Sequence, residues 1–122
     1  MCGVLGCLFP IDQARFQKAL ATIRHRGPDS SGVYADGVVT LGHTRLAILD
    51  LSPSGHQPMT DVTGRFTISF NGEIYNYLEI KNELERLGVL FISRSDTEVF
   101  LEAYKAWGHS CLDRFNGMWA AA

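Results

Sequence analysis

Apolar residues fill positions 4–9 and stop at Pro10, which predicts a short strand close to the N-terminus. Asp12 then stands where a helix N-cap is expected, and Phe16, Ala19, Leu20 and Ile23 recur at helical spacing, so one face of the helix that follows should be buried. Arg24-His25-Arg26-Gly27-Pro28-Asp29 and the Ser30-Ser31-Gly32 that follow it have the composition of a loop. Positions 33–35 and 38–41 predict a strand pair turning at Asp36-Gly37. Leu46, Ile48 and Leu51 carry the apolar pattern onward to Ser52-Pro53-Ser54-Gly55 and Gln57-Pro58, a polar loop with two X-Pro restrictions. Phe66, Ile68 and Phe70 alternate with Thr67 and Ser69, a period of two that predicts a strand with one buried face ending at Asn71-Gly72. Helical spacing returns over 77–87 with Leu78, Leu84 and Leu87 on the apolar side and Gly88 as the stop, and 89–92 reads as a short strand. Ser95-Asp96-Thr97-Glu98 has the form of a capping box ahead of Val99, Phe100, Ala103, Tyr104 and Trp107, with Gly108 closing that helix. Residues 117–120 read as a strand just beginning.

Strands and helices mixed in this order, with consecutive strand pairs and no regular βαβ alternation, point to an α+β or layered sandwich. No repeat or linker divides the chain, and 122 residues suit one domain over 1–122. Hydrophobic residues at 46% and charged residues at 20% provide for a core and argue against disorder. The formal charge of -2 is spread along the chain without a basic stripe, which disfavours nucleic-acid binding. No apolar run approaches the ~20 residues that cross a bilayer, so no membrane role and a cytoplasmic location are expected. Cys2, Cys7 and Cys111 are odd in number and lack C-x-x-C spacing, which suggests reduced thiols. The four histidines form neither H-E-x-x-H nor a cluster with carboxylates, so no metal is expected.

Four positions could carry chemistry, and each also has a plain structural reading. Removal of Met1 would leave Cys2 with a thiol and a free α-amino group, a nucleophile and a base on one residue, since an α-amino group titrates near ~7.7 to 8.0 and a thiol near ~8.5. A buried small thiol is the plain alternative. Asn71-Gly72 could offer a side-chain amide and an unhindered backbone N–H to one oxyanion, or merely form a hairpin turn. Arg45 could hold a carboxylate through two parallel hydrogen bonds, or sit in a surface ion pair. Asp96 could meet an ammonium group, or simply complement the dipole of its helix. Taken together the four supply what is needed to bind an α-amino acid and attack its side-chain amide.

Met1-Cys2-Gly3-Val4, Arg24-His25-Arg26-Gly27-Pro28-Asp29, Leu41-Gly42-His43-Thr44-Arg45-Leu46, Gln57-Pro58, Asn71-Gly72-Glu73-Ile74-Tyr75-Asn76, Ser95-Asp96-Thr97-Glu98 and Gly117-Met118 resemble, in order and over the whole chain, the motif series of class II glutamine amidotransferase domains. The R-H-R-G-P-D and N-G-E-I-Y-N forms are similar to the asparagine synthetase branch in particular. The resemblance implies a four-layer αββα sandwich of the N-terminal nucleophile hydrolase type. It also implies that this chain holds only part of that domain, with further strands and a synthetase domain bearing an S-G-G-x-D-S motif lying beyond it. By the same resemblance Cys2 is the nucleophile, Asn71 and Gly72 form the oxyanion hole, Arg45 holds the glutamine carboxylate, Asp96 its ammonium, and Glu73 is a further pocket position. Arg26 and Asp29 would shape the loop near the nucleophile. The implied activity is conversion of glutamine to glutamate and ammonia, with the ammonia passed to the synthetase domain for asparagine synthesis from aspartate. No cofactor is implied here, while ATP and Mg2+ are implied for the synthetase domain. Homo-oligomerisation is left open. Two alternatives stand beside this: a fragment that binds glutamine or a partner without turnover, and an amidotransferase for another acceptor such as a sugar carboxylate in polysaccharide assembly.

Overall fold

In a computed structural model describing residues 1–122, seven strands and three helices are interleaved along the chain. β1 (Gly3–Cys7) leads into α1 (Gln13–Thr22), β2 (Ser30–Ala35) and β3 (Thr40–Arg45). Asp12 caps α1 by accepting the Arg15 N–H at 3.0 Å. The helix buries Phe16 and Leu20, but Ala19 faces solvent, so the buried stripe is narrower than the sequence pattern suggested. Ser30-Ser31-Gly32 are strand residues despite their loop composition, because β3 supplies each with a partner, Gly32 opposite His43 among them. Pairing across the sheet here outweighs local propensity.

β3 is the middle strand of an antiparallel sheet ordered β1-β3-β2 and is buried over nearly its whole length. Side chains alternate across a strand. Gly42 and Thr44 face α1: a side chain at Gly42 would run into Phe16 and Leu20, and Thr44 Oγ1 donates to the Ile23 carbonyl at 3.2 Å. His43 points the other way, with Nε2 2.9 Å from the Phe70 carbonyl oxygen, and Arg45 falls on that same side. The first sheet thus has one face for α1 and one for the rest of the molecule.

Residues 46–52 form no strand, and Ile48, Leu49 and Leu51 are exposed rather than continuing an apolar face. β4 (Met59–Thr60) and β5 (Thr67–Ile68) make a short antiparallel ribbon. Its turn is held by the Asp61 carboxylate, which accepts from Thr63 Oγ1, Arg65 N and Phe66 N and pairs with Lys105 at 3.2 Å. After a break at Ser69 the chain continues as β6 (Phe70–Ile74). Asn71-Gly72 therefore does not end a strand, as the sequence suggested, but lies inside one. The reason is β7 (Gly117–Ala121), which pairs antiparallel with β6 from the far end of the chain, Asn71 opposite Ala120 and Gly72 opposite Trp119.

α2 (Tyr77–Arg86) buries Ile80 and Leu84, an i, i+4 pair, while Leu78 and Leu87 are exposed, so its inner face is not the one the leucines suggested. Gly88, at φ 91°, stops it. Residues 89–92 form no strand. α3 (Asp96–Trp107) starts with half of the expected capping box: Ser95 Oγ accepts the Glu98 N–H at 3.3 Å, but the Glu98 carboxylate takes the N–H groups of Ile92 and Ser93 instead of that of Ser95. Two extended N–H groups just ahead of the helix are thereby satisfied, where a ladder partner is lacking. The main core lies between β5, β6, α2 and α3 and includes Ile68, Phe70, Ile74, Leu84, Val99 and Phe100. Side chains of this kind each contribute roughly 1.5–3 kcal/mol on burial. The fold is thus mixed α and β with antiparallel pairing throughout. Its three cysteines are free, and no helix is long and apolar enough to cross a membrane.

Candidate active site

Cys2 sits immediately ahead of β1, and the pairing of Gly3 with Thr44 brings it beside the end of β3. Its Sγ accepts the Leu46 N–H at 3.4 Å and lies 3.7 Å from the Leu46 carbonyl oxygen. Arg26 Nε donates to the Cys2 carbonyl at 3.0 Å. Asp29 grips the other side, its N–H donating to the Arg45 carbonyl at 3.0 Å and its Oδ2 accepting the Ala47 N–H at 2.8 Å. Gly27 between them has no room for a side chain, since a Cβ there would overlap the backbone of Thr44 and Arg45. The Arg24–Arg26 turn and the residues after it thus strap the Cys2 end of β1 to the end of β3.

The second part of the site is the edge of β6 that faces away from β7. Antiparallel positions alternate between pairs that exchange hydrogen bonds and pairs that do not. Ser69 and Ala122 exchange both bonds, at 2.8 and 3.0 Å, and the Tyr75 N–H donates to the Asn116 carbonyl at 2.7 Å. Asn71 and Glu73 consequently belong to the β7 ladder, whereas Phe70, Gly72 and Ile74 turn their N–H groups outward. The Phe70 N–H goes to Gln57 Oε1 at 2.6 Å and the Ile74 N–H to Asp96 Oδ2 at 3.1 Å. The Gly72 N–H lies between these two, directed to the same side. Glycine is required there because β7 comes so close that a Cβ would strike Met118 and Trp119.

Arg45 spends two of a guanidinium's five donors inside the chain, Nη1 donating to the Ser52 carbonyl at 2.9 Å and Nη2 to the Asp50 carbonyl. Residues 46–52 fold around it. The Asp50 carboxylate accepts from Ser52 N and Arg94 N, and its carboxyl is held down to about 2, chiefly by the Ser52 hydroxyl. Asp96 is the first residue of α3 and only 6% exposed. Burial raises its carboxyl above the ordinary range, an effect opposed by N–H groups from Ile74, Asp96 itself and Thr97 and reinforced by the nearby Glu73. A cation arriving there would offset the burial. Glu73 itself is exposed.

Cys2, Arg45, Asn71, Gly72, Glu73 and Asp96 all line one cleft of about 140 Å³, together with Met1, Gln57, Thr97 and Met118. A larger cavity of about 600 Å³, bounded by Asp61, Glu102 and Lys105, contains none of the six. No group of three His, Cys, Asp or Glu side chains is gathered closely enough to hold a metal ion. The cleft offers a thiol, a guanidinium, three carboxylates (Asp50, Glu73 and Asp96), two side-chain amides (Gln57 and Asn71) and an outward N–H, a set suited to a small zwitterion with a polar tail.

His43 and Gln57 were not singled out by residue type, although both stand in the quoted motifs. The only sequence signal is position, His43 and its neighbour Gly42 necessarily facing different sides of a strand. His43 is 0% exposed, and burial brings its imidazole down to about 4, against the opposing effect of the Phe70 carbonyl. Nε2 donates to that carbonyl, so the ring is neutral with its lone pair on Nδ1, which is buried without a partner. Between about pH 6.5 and 4 the unfolded chain protonates this residue and the folded chain does not, so stability present above 6.5 falls as pH drops. The full loss is roughly 3 kcal/mol. Asp96, raised by burial, acts in the opposite sense. The thermal midpoint should therefore decline from pH 7 to 4, with a flatter decline in His43→Gln; equal slopes would contradict this role for His43.

The profile of one family, described as a glutamine amidotransferase domain, matches residues 1–122. A protein of Methanocaldococcus jannaschii named putative asparagine synthetase [glutamine-hydrolyzing] 2 is 40% identical over 98% of this chain and 27% of its own length. Asparagine synthetase [glutamine-hydrolyzing] 1 of Bacillus subtilis is 40% identical over 98% of this chain and 20% of its own. Asparagine synthetase [glutamine-hydrolyzing] 3 of the same organism is 37% identical over 100% and 21%. The chain therefore spans about a fifth to a quarter of the length of the curated relatives it matches.

Proposed function

The chain belongs to the glutamine amidotransferase domain family, and from that premise we propose that it hydrolyses the side-chain amide of glutamine through a thioester on Cys2. The observation that carries this reading is that Cys2, Asn71, Gly72, Arg45 and Asp96 all line one cleft. With Met1 removed, the Cys2 α-amino group takes the thiol proton and Sγ attacks the amide carbon of glutamine. The amide oxygen becomes an oxyanion, met by the Asn71 side-chain N–H and the outward N–H of Gly72. The C–N bond then breaks, the α-amino group returns the proton to the departing nitrogen, and ammonia leaves. Water attacks the γ-glutamyl thioester by the same route, releasing glutamate and the thiol. Arg45, with donors to spare, holds the substrate carboxylate; Asp96 holds the ammonium, with Glu73 beside it.

The acceptor and the rest of the protein belong to the same proposal. The names of the relatives favour asparagine as product; aspartate as its acceptor, and ATP and Mg2+ acting in a synthetase domain, are part of the proposal, and no residue of this chain is assigned to them. The stacking order α1, β1-β3-β2, β6-β7 and then α2 with α3 supports the four-layer αββα arrangement. Free cysteines favour a cytoplasmic location. The alternative, binding without turnover, is the reading for a chain whose Met1 is not removed. A chain that keeps Met1 has its α-amino base one residue away from the thiol.

The reading is tested at the clamp. Arg45 and Asp96 meet glutamine already in its ground state, so Arg45→Ala and Asp96→Asn should each raise KM by roughly ten- to a hundredfold with a smaller fall in kcat. KM should also rise as pH falls toward the raised Asp96 value, since the neutral carboxyl no longer attracts an ammonium. Ammonia release at increasing glutamine concentration measures both. An unchanged KM in both variants would leave Arg45 as a loop anchor and Asp96 as a complement to its helix dipole.

A further inference from the structure

We propose that Gln57 is a positioning residue that ties the oxyanion donors to the ammonium clamp, so that one buried side chain sets both ends of the glutamine site. The inference rests on the glutaminase reading. Gln57 is 5% exposed, and both halves of its amide are committed. Oε1 accepts the Phe70 N–H at 2.6 Å, and Nε2 donates to Thr97 Oγ1 at 3.1 Å. The Phe70 N–H can only donate, so the carbonyl half of the amide must face it and the NH2 half is left for Thr97; the two bonds are set together.

The placement of those two partners gives the tie its consequence. Phe70 directly precedes Asn71 on the outward edge of β6, where no strand lies alongside to fix the backbone. Its N–H is held by Gln57 and its carbonyl by His43, at 2.9 Å, both from buried side chains. Phe70 is thus pinned at both of its backbone polar groups, one residue before the Asn71 amide and two before the Gly72 N–H. Thr97 is 3% exposed and directly follows Asp96 at the start of α3. The Ile74 N–H that bonds Asp96 Oδ2 closes the loop on the other side, joining the far end of β6 to the same helix turn. Displacing Gln57 should therefore move the donors and the clamp relative to one another, and with them the span that glutamine must fit. A donor has to lie within about 3 Å of the developing oxyanion, so small displacements register in rate. A buried glutamine that merely satisfied its own hydrogen bonds would act on stability alone.

Glutamine hydrolysis by the full-length, processed protein separates the two. Gln57→Met, of similar length without polar atoms, should lower kcat and raise KM, each by about tenfold. Gln57→Glu keeps an acceptor for the Phe70 N–H and should recover most of the loss in kcat. Thr97→Val breaks only the arm to the helix and should raise KM severalfold with kcat within about twofold, and adding it to Gln57→Met should raise KM no further. If Gln57→Met fails to fold, Gln57→Glu and Thr97→Val decide alone. The proposal is overturned if the folded variants lose thermal stability but keep kcat and KM within about twofold, or if Thr97→Val leaves KM unchanged. A wild-type protein that releases no ammonia from glutamine overturns the glutaminase reading itself, and this proposal with it.

Discussion

Cys2→Ala should abolish glutamine hydrolysis in the full-length protein, with a fall in kcat on the order of 10⁴-fold or more, because no other group in the cleft can form the thioester. Cys7 lies at the opposite end of β1, and Cys111 is buried in the main core, so neither thiol can take its place. Alanine fits easily: Cys2 is half-buried, and its Sγ makes only weak contacts with the Leu46 peptide. Stability should therefore change little, which keeps the loss of activity separate from loss of fold. If a synthetase domain uses the released ammonia, free ammonia supplied directly should still support synthesis in this variant. Ammonia release with glutamine and product formation with ammonium salts, measured on the same preparation, check both halves. Retained glutaminase activity would remove Cys2 from the mechanism.

Asn71→Ala should act almost entirely on the transition state. Charge reaches the amide oxygen only as the tetrahedral species forms, so kcat should fall by ~10² to 10³, or roughly 2.7 to 4 kcal/mol, with KM little changed. The fold predicts a mild effect on stability, since Asn71 is a strand residue opposite Ala120, not a turn that depends on its side chain. Asn71→Asp is the sharper variant, because it preserves size while placing a carboxylate where the oxyanion develops. A large drop in thermal midpoint with kcat unchanged in the folded fraction would mean that Asn71 serves only the strand.

The site was more legible in the sequence than the elements that hold it. Cys2, Arg45, Asn71 and Asp96 stand out by the chemistry of their side chains, Gly72 by its unhindered N–H and Glu73 only by the motif resemblance, and all six line one cleft. Local punctuation also read correctly where the signal was local: Asp12 and Ser95 as caps, Gly88 and Gly108 as stops. What failed depended on distant partners. Asn71-Gly72 carries a hairpin signal, yet its place is set by β7 far along the chain, where Ala120 and Trp119 stand opposite. Leu78 and Leu87 are as apolar as Leu84, and only the packing of α2 against the core decides which is buried. Residues 89–92 have strand composition but no neighbour with which to pair, and Glu98 takes up two of the N–H groups at that point. His43 and Gln57 act through the backbone groups of Phe70, and backbone positions leave no trace in residue type.

The central claim is that Cys2, as the N-terminal residue, attacks the side-chain carbonyl of glutamine. It is tested most directly by incubating the protein with a glutamine analogue bearing a chloromethyl ketone in place of the side-chain amide, followed by peptide mass spectrometry. The account predicts a single adduct on a peptide that begins at Cys2, suppressed by excess glutamine and absent from Cys2→Ala. An adduct on Cys7 or Cys111, or glutamine hydrolysis by protein that still carries Met1, would contradict it.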